Sequence, residues 1–327
     1  MSLIAGSYER FIWGFKLKSP KDDQNYSLTP LFSFPSHLSP IKCTAVAGSA
    51  AVSGGADDTI KIYDLSTCSE IGSLHHTSTI TSLSFFTPHS YSFPRNLIAG
   101  SEDGSVSIYD ADPFVQLKTV KIHRKGVNSI CVHPSGRLAL SVGRDECMAM
   151  VNLVRGRRSF YCRLGKEASL ISFSDGGEKF FTVMDEKITV HESEDAKIVL
   201  EIGNDKKVLC ATPGMKGVLF TGGEDKSVKA WDVSSGKVAY SIEDAHSTRV
   251  KGIVVLHKDN DGGEDHEHIV ASASSDGVIR VWDVRMTSKD KAIPLAEANT
   301  KSRLTCLAGS SIKSVKAPQV GNTSQES

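Results

Sequence analysis

The sequence predicts an all-β protein, a β-propeller of seven blades, and three observations support this prediction. A short pattern of two β-strands around a tight turn recurs along the 327 residues. Several copies of the pattern end in Trp-Asp or Tyr-Asp. The turns carry acidic residues at intervals of 46, 42, 40, 40 and 51 residues, at Asp57, Asp103, Asp145, Asp185, Asp225 and Asp276. Repeats of about 44 residues with these features are typical of propeller blades.

The clearest copy of the pattern is ASASSDGVIRVWDV at 271–284. Its second half is rich in β-branched and aromatic residues, which favour strands, and Ser275-Asp276-Gly277 has the composition of a tight turn. The other copies are GGADDTIKIYD at 54–64, GSEDGSVSIYD at 100–110, VGRDECMAMVN at 142–152, MDEKITVHE at 184–192 and GGEDKSVKAWD at 222–232. These copies therefore predict that the last four-fifths of the chain forms six consecutive blades.

The beginning of the chain predicts part of a seventh blade. Strands are expected at 3–6 and 11–17 around a turn at 7–10, and a third at 28–34. Glu9 stands in this turn 48 residues before Asp57, in register with the turn acids. Complete repeats then begin at Ile41, Ile80, Val127, near 168, near 206 and at Val250. The N-terminal copy consequently has three strands where a blade needs four.

The missing fourth strand is expected at the C-terminal end of the repeats. The first strands of three repeats have a small residue in third place, at Ser82, Ser129 and Gly252. The segment RLTCLA at 303–308 has the same texture, with Cys306 in that place, and no further strand pattern follows it. We therefore predict that this C-terminal strand joins the N-terminal strands and closes the ring, which removes two exposed sheet edges.

The composition predicts a globular protein that has no membrane partner. Lys plus Arg and Asp plus Glu number 38 each, so the formal net charge is zero and no global field attracts nucleic acid or anionic lipid. No run approaches the roughly 20 apolar residues that span a membrane. The repeats predict one propeller domain over 1–310, and the polar composition of 311–327 predicts a disordered tail.

Neither the cysteines nor an acidic stretch predicts a metal or cofactor site. The seven cysteines lack paired spacing, so we expect reduced thiols packed in the core. The stretch DNDGGEDHEH at 259–268 begins like a calcium loop, but Val270 occupies the twelfth position, where such a loop has Glu. His266 and His268 are two residues apart, a weak pattern for zinc. A solvated acidic loop is the favoured interpretation.

Two copies, SSDGVIRVWD at 274–283 and GEDKSVKAWD at 223–232, resemble WD40 repeats, and the resemblance covers most of the chain. Four other stretches are similar to the PAK-interacting-protein (p21-activated protein kinase-interacting protein-like) family of WD40 proteins, namely LIAGSYE (3–9), HPSGRLALSVGRD (133–145), IVASASSDG (269–277) and RLTCL (303–307). The fungal counterparts of that family act in large ribosomal subunit assembly.

The resemblance implies a monomeric, non-catalytic scaffold that binds proteins. The expected partners are the regulatory region of PAK-type kinases, whose activation the family restrains, and assembly factors of the precursor of the large (60S) ribosomal subunit. A location in the nucleus and nucleolus is also implied. No cofactor, no small-molecule substrate and no membrane is expected.

The resemblance also implies a hydrogen-bonded network inside the blades. In WD40 proteins it joins a His, a Ser or Thr, the turn Asp and a Trp. The corresponding sets are His246, Ser272, Asp276 and Trp282; His37, Ser53, Asp57 and Tyr63; and Thr221, Asp225 and Trp231, which lack the His. Three repeats depart further from the set. In the first, Val151 replaces the aromatic residue that would accompany His123, Ser141 and Asp145. In the second, Ala99 replaces the hydroxyl residue beside His76 and Asp103, and the third, around Asp185, keeps almost none of the four residue types. We expect these blades to be less rigid.

The Ser, His and Asp residues of these sets do not predict a hydrolase. The constellation recurs in several repeats, whereas an enzyme needs one nucleophile beside one oxyanion site. No GxSxG nucleophile elbow is present, and the Gly-rich turns lead into strands rather than helices, unlike phosphate-binding loops. The residues therefore indicate no catalytic site.

The most basic local cluster is the candidate binding site. Arg155, Arg157, Arg158 and Arg163 lie outside the repeat motif with Phe160 and Tyr161 among them, and the candidate binding residues are Arg155, Arg157, Arg158, Phe160 and Tyr161. Arginine beside aromatic residues can anchor a protein interface, and it also suits contacts with RNA phosphates and bases. A module that contacts pre-rRNA through this cluster is therefore the alternative to the protein-binding scaffold. The alternative without any binding function is that these residues simply form an exposed turn of one blade.

Overall fold

The computed structural model describes residues 1–18, 26–88, 91–214, 216–256, 269–284 and 292–310. These residues form seven antiparallel sheets of four strands each, arranged as the blades of a ring. The predicted seven-bladed β-propeller is thereby confirmed. Within the described ranges there is no helix that could cross a membrane. The predicted tail at 311–327 and the acidic stretch at 259–268 lie outside the described residues.

The strands follow one another along the chain with short turns. The first fourteen are β1 (Ser2–Ser7), β2 (Ile12–Lys18), β3 (Ser27–Phe34), β4 (Ile41–Ala47), β5 (Ala50–Gly55), β6 (Thr59–Asp64), β7 (Ser69–His75), β8 (Ile80–Phe86), β9 (Asn96–Ser101), β10 (Ser105–Ala111), β11 (Phe114–Lys121), β12 (Val127–Val132), β13 (Leu138–Gly143) and β14 (Cys147–Asn152). The others are β15 (Arg157–Arg163), β16 (Leu170–Phe173), β17 (Lys179–Met184), β18 (Lys187–Glu192), β19 (Ile198–Gly203), β20 (Val208–Pro213), β21 (Val218–Gly223), β22 (Val228–Asp232), β23 (Lys237–Ile242), β24 (Val250–Leu256), β25 (Ile269–Ser274), β26 (Val278–Asp283), β27 (Ala296–Asn299) and β28 (Leu304–Ser310).

Each blade takes four of these strands. Blade 1 has the order β28-β1-β2-β3, and blades 2 to 7 take β4–β7, β8–β11, β12–β15, β16–β19, β20–β23 and β24–β27 in sequence order. The predicted starts of the complete repeats agree with β4, β8, β12 and β24, and lie two residues before β16 and β20. The turn acids stand between the second and third strands of the blades, at one face of the ring, which we call the upper face. The turns at the other strand ends form the lower face.

The innermost strand of each blade lies beside the axis, where small side chains are needed. In six blades this strand has a β-bulge after its first residue, and the third residue is small: Cys43, Ser82, Ser129, Cys210, Gly252 and Cys306. A Cβ added to Gly252 would lie 2.5 Å from the Cβ of Leu307 on the neighbouring blade. This close approach is the physical reason for the small residues that the sequence shows.

Hydroxyl groups join the inner strands of neighbouring blades. Ser82 accepts the backbone amide of Ile130 at 3.0 Å, so blade 4 is bonded to blade 3. Thr305 donates to the carbonyl of Ile41 at 2.7 Å, which joins β28 to β4. Apolar clusters fill the space between adjacent sheets farther from the axis, for example Ile4, Ile12, Ile41, Ala51 and Tyr63 between blades 1 and 2. The ring is therefore held by packing between blades as well as by pairing within them.

The two ends of the described chain close the ring, as predicted. β1 pairs antiparallel with β28, with Ile4 opposite Ala308 and Gly6 opposite Cys306. Leu304 is completely buried in the cluster between blades 1 and 7. The Glu9 carboxylate accepts the backbone amide of Arg303 at 2.9 Å, so this residue ties the turn of blade 1 to the start of β28.

Removing the closing strand should destabilise the whole ring. A chain that ends at Ser302 lacks β28, leaves the edge of β1 unpaired and empties the position of Leu304. We expect a loss of about 3 kcal/mol or more in the free energy of unfolding, since a buried leucine alone contributes about 1.5–3 kcal/mol. Urea unfolding followed by tryptophan fluorescence measures the loss.

A chain that ends at Ser310 is the matched control for this truncation. It keeps β28 and should unfold at the same urea concentration as the full chain. Equal stability of the two truncated chains would contradict the role of β28 in ring closure.

Candidate functional site

The network of blade 2 connects β6, β5 and the loop before β4. The carboxylate of Asp57 can only accept, so the Nδ1 of His37, 3.0 Å away, carries the proton. The Nε2 of His37 then accepts from the hydroxyl of Ser53 at 2.7 Å. The Ser53 oxygen accepts from the Tyr63 hydroxyl at 3.0 Å. All four residues of this set therefore form one chain of hydrogen bonds.

The charges in this network follow from burial and hydrogen bonding. Burial lowers the pKa of His37, so the imidazole is neutral at pH 7. Burial would raise the pKa of Asp57, but hydrogen bonds from His37 and the Leu38 amide outweigh it and lower the pKa to about 2. The blade consequently holds a neutral histidine against a carboxylate that stays ionised.

Blade 7 contains the complete set with tryptophan. The indole nitrogen of Trp282 donates to Ser272 at 2.9 Å, and Ser272 lies 2.8 Å from the Nε2 of His246. The Nδ1 of His246 is 3.4 Å from Asp276, a longer contact without hydrogen-bond alignment. The Asp276 carboxylate also accepts the amide of Val278 at 3.0 Å. Burial would raise the pKa of Asp276, but His246, the Val278 amide and Ser247 outweigh the effect of burial and lower the pKa.

Blade 4 obtains its aromatic member from an unexpected strand. His123 lies 2.9 Å from both Ser141 and Asp145, as in blade 2. Val151 offers no polar group, but the hydroxyl of Tyr161 on β15 donates to Asp145 at 2.8 Å. The prediction from sequence placed Tyr161 in the binding cluster instead. A signal was present: a repeat without its aromatic residue on the third strand has a tyrosine on the fourth.

Blades 3 and 6 satisfy the same groups in two other ways. In blade 3 the hydroxyl of Tyr109 bonds directly to the Nε2 of His76, where Ala99 offers no hydroxyl. In blade 6 Trp231 donates to Thr221 at 2.8 Å, and Asn204 stands at the histidine position in the loop before β20. The ammonium group of Lys229 lies 2.7 Å from Asn204 and 3.1 Å from Asp225, and so supplies the missing donor.

Blade 5 lacks the family set, as expected, but contains a different buried network. Its second turn, between β17 and β18, has two residues, against three in blades 2 and 7. Asp185 is therefore on the surface, where it contacts Lys166 at 3.0 Å and Lys207 at 2.9 Å. His191 takes the aromatic position, with its Nε2 2.9 Å from Thr189 and its Nδ1 donating to the carbonyl of Ala196 at 3.1 Å.

These buried sets have no access for a substrate. Ser53, Ser141 and Ser272 are completely buried, and their histidines are nearly so. A hydroxyl in this position cannot attack a bound molecule, because the blade itself fills the space around it. Their chemistry is structural: each network joins the loop before a blade to the strands within it.

No metal centre is formed by the described residues. Nowhere in the described ranges do three His, Cys, Asp or Glu side chains come close enough to hold an ion. All seven cysteines are free thiols, and six of them stand in strands. The acidic stretch at 259–268 is outside these ranges.

The structure divides the candidate binding cluster into two groups. Arg158 donates to the carbonyl of Ile122 at 2.7 Å, and its guanidinium carbon lies 4.4 Å from the ring centre of Tyr161. Arg158 and Tyr161 therefore have structural contacts. Arg155, Arg157 and Phe160 are exposed at the outer edge of blade 4, where they are available to a partner.

Comparison with known proteins agrees with this architecture. The family described as WD domain, G-beta repeat matches residues 28–64, 68–110, 114–150 and 238–283. The p21-activated protein kinase-interacting protein 1-like protein of Danio rerio is 31% identical, over 100% of this chain and 86% of its own length. The human p21-activated protein kinase-interacting protein 1 is 34% identical, over 94% of this chain and 76% of its own length.

The chain belongs to the p21-activated protein kinase-interacting protein 1 family. The resemblance that the sequence shows is thereby confirmed. Protein MAK11 of Saccharomyces cerevisiae is a more distant relative of this family, 30% identical over 63% of this chain and 55% of its own length. Like this chain, the family is built on WD40 repeats, a fold that is typically a non-catalytic scaffold.

Within this WD40 protein, the turn acids of blades 7 and 5 should differ in their contribution to stability. Asp276→Ala leaves buried donors unpaired and should cost about 1–3 kcal/mol of unfolding free energy. Asp185→Asn removes only exposed ion pairs, which contribute about 0–1 kcal/mol, and keeps a residue type that tolerates the positive φ of this position. Urea unfolding of both variants measures the difference. Equal losses would show that Asp276 has no special role in its network.

The hydroxyl of Tyr161 should stabilise blade 4. Tyr161→Phe keeps the ring beneath Arg158 and removes only the donor to Asp145, so we expect a loss of about 1–2 kcal/mol. Tyr91→Phe is the matched control, because the ring of Tyr91 is 63% exposed. Chemical denaturation of the two variants compares them. A Tyr161→Phe variant as stable as the control would remove Tyr161 from the network.

Proposed function

We propose that this WD40 protein is a non-catalytic scaffold in the assembly of the large (60S) ribosomal subunit. The observation that supports it best is a group of exposed side chains at the outer edge of blade 4. Val154 and Phe160 are 76% and 46% exposed, and Arg155 and Arg157 are exposed beside them. In the described structure these side chains stabilise no network, whereas Arg158 and Tyr161 next to them do.

The chemistry of this exposed group suits a protein partner. Aromatic residues and arginine are enriched at the energetic centres of protein interfaces. A rigid ring holds these residues in fixed positions, so little conformational entropy is lost on binding. The chain's zero net charge gives no long-range attraction for RNA, and a protein contact needs none.

The proposed partners are assembly factors of the 60S precursor. The family resemblance supports this role, because the fungal counterparts act in large-subunit assembly, and MAK11 is among the relatives. Nuclear and nucleolar location belongs to the same proposal, since the precursor particles are assembled there.

Binding to the regulatory region of a PAK-type kinase is a second candidate function. The names of the vertebrate relatives support it, since they describe proteins that interact with p21-activated kinases. A scaffold could serve both roles through different faces of the ring. The kinase role predicts direct binding of the isolated regulatory region to the purified chain.

The alternative of a pre-rRNA-binding module has weaker support. Arg158 donates to the Ile122 carbonyl and stacks on Tyr161, and the Tyr161 hydroxyl donates to Asp145, so both side chains already have contacts within the blade. Arg163 is paired with Glu146 at 3.2 Å, so only Arg155 and Arg157 of the cluster have no side-chain contact in the described structure, whereas phosphate-driven binding typically uses several basic contacts.

The double variant Arg155→Ala/Arg157→Ala tests the assembly role. We expect its unfolding free energy to change by less than about 0.5 kcal/mol per site, as is usual for surface positions. Its co-sedimentation with 60S precursors should fall severalfold in cell extracts. Undiminished co-sedimentation would exclude this edge of blade 4 as the binding surface.

A crosslinking experiment separates protein binding from RNA binding. The scaffold should crosslink to assembly factors and should yield little RNA. Recovery of pre-rRNA crosslinked at Arg155 or Arg157, with binding that weakens steeply as salt increases, would favour the RNA alternative instead. The Lys237→Ala variant, which removes one positive charge at an exposed site on blade 6, serves as the control.

A further inference from the structure

An apolar groove opens at the lower face between blades 4 and 5. It has a volume of about 610 Å³, within the range of sites that bind ligands. Its floor consists of buried side chains: Leu140, Met148, Phe173 and Phe180. The walls are formed by the half-buried Leu138 and Met150 and the exposed Phe160.

The rim of this groove is acidic. Glu178 directly precedes β17, and Glu192, Glu194 and Asp195 come from the end of β18 and the turn after it. Glu192 is 3.9 Å from Lys179, and Asp195 accepts the backbone amide of Lys197 at 3.0 Å. Glu178 and Glu194 form no ion pair with any described residue. The rim therefore carries uncompensated negative charge around an apolar interior.

We propose that this groove binds a linear protein segment that inserts one apolar side chain against Met150 and Phe160, which lie opposite each other on β14 and β15, and carries lysine or arginine on both sides. The apolar interior supplies the burial, and the flexible, polarisable methionines adapt to the inserted side chain. The carboxylates of the rim select basic flanking residues by charge complementarity. This inference rests on the proposed scaffold function, and it specifies the chemistry of one partner.

A second feature of the groove suits an extended peptide. Ser193 lines it, and the buried hydroxyl of Ser193 has no hydrogen-bond partner among the described residues. Rotation about its Cα–Cβ bond would turn this hydroxyl into the groove, where it can accept a backbone amide of the bound segment, because an extended peptide presents amides that are free to donate. Nucleic acid is disfavoured here, since the rim carboxylates would repel its phosphates.

A peptide selection on the full chain tests the proposal. A displayed library of random twelve-residue peptides is selected against the purified protein. We expect the enriched peptides to share one large apolar residue with Lys or Arg on both sides. The affinity of a synthetic copy of one enriched peptide is then measured by fluorescence anisotropy at low and moderate salt.

Three variants assign the binding to the groove. Glu178→Lys/Glu194→Lys should weaken the peptide about tenfold, because it replaces attraction by repulsion at the rim. Phe160→Ala should weaken it by a similar factor through the lost apolar wall. Glu243→Lys, a charge reversal at an exposed site on blade 6, should leave the affinity unchanged. Thermal unfolding checks that all variants are folded.

A charge exchange keeps the test independent of folding. A peptide with Glu in place of its Lys and Arg residues should bind the double lysine variant more tightly than the wild type. Enriched peptides without basic residues, or an affinity that does not respond to the double variant, would overturn the proposal. So would a dimer in analytical ultracentrifugation that the double variant disrupts, because the groove would then hold a second copy of the chain.

The outcome is separable from that of the proposed function. If the peptide binds as expected while co-sedimentation with 60S precursors is absent, the groove stands as a binding site and the assembly role fails. If co-sedimentation with 60S precursors persists but selection on the wild-type chain enriches no peptide of the expected kind, the groove is overturned and the assembly role stands.

Discussion

The need to satisfy buried polar groups shapes blades 2 to 7. A propeller packs sheets face to face, so a histidine or carboxylate near a turn is cut off from water and must find a partner inside the blade. Blade 2 does this through Ser53 and Tyr63, and blade 4 reaches the same end through Tyr161. Blade 6 uses a lysine. These blades share the need to pair buried polar groups, but each blade uses different residues to do so.

This constraint also explains what could be predicted from sequence. The ring of seven blades was predictable because the turn acids recur at nearly constant intervals, and closure because RLTCLA at 303–308 repeats the texture of an inner strand. Tyr161 was misassigned because its partner Asp145 lies across a strand pair, a relation that spacing does not show. In blade 5, a turn shorter by one residue moves Asp185 to the surface. A difference of one residue is too small to be recognised in a repeat of about 40 residues, so the sequence did not predict the exposed position of Asp185.

The contacts inside blade 4 help to identify which side chains of the Arg155–Tyr161 segment are available to a binding partner. Arginine and aromatic residues in one short segment looked equivalent in the sequence, yet the structure uses Arg158 to brace Tyr161 and leaves Arg157 and Phe160 outward. Phe160 is also a wall of the groove between blades 4 and 5. The outer edge of blade 4 and this groove are thus neighbouring parts of one surface, basic on one side and acidic on the other, which a single partner could span.

The pairing of β1 with β28 has a consequence for synthesis on the ribosome. Gly6 and Thr305, joined by a hydrogen bond, are 299 positions apart in the chain. At translation rates of about 5–20 residues per second, β1 emerges roughly 15 to 60 s before its partner strand. All six residues of β1 are buried in the finished ring. Throughout that interval the nascent chain therefore exposes an unpaired strand edge that is prone to aggregation. A chaperone that covers β1 during translation would protect this protein more than one that acts after release.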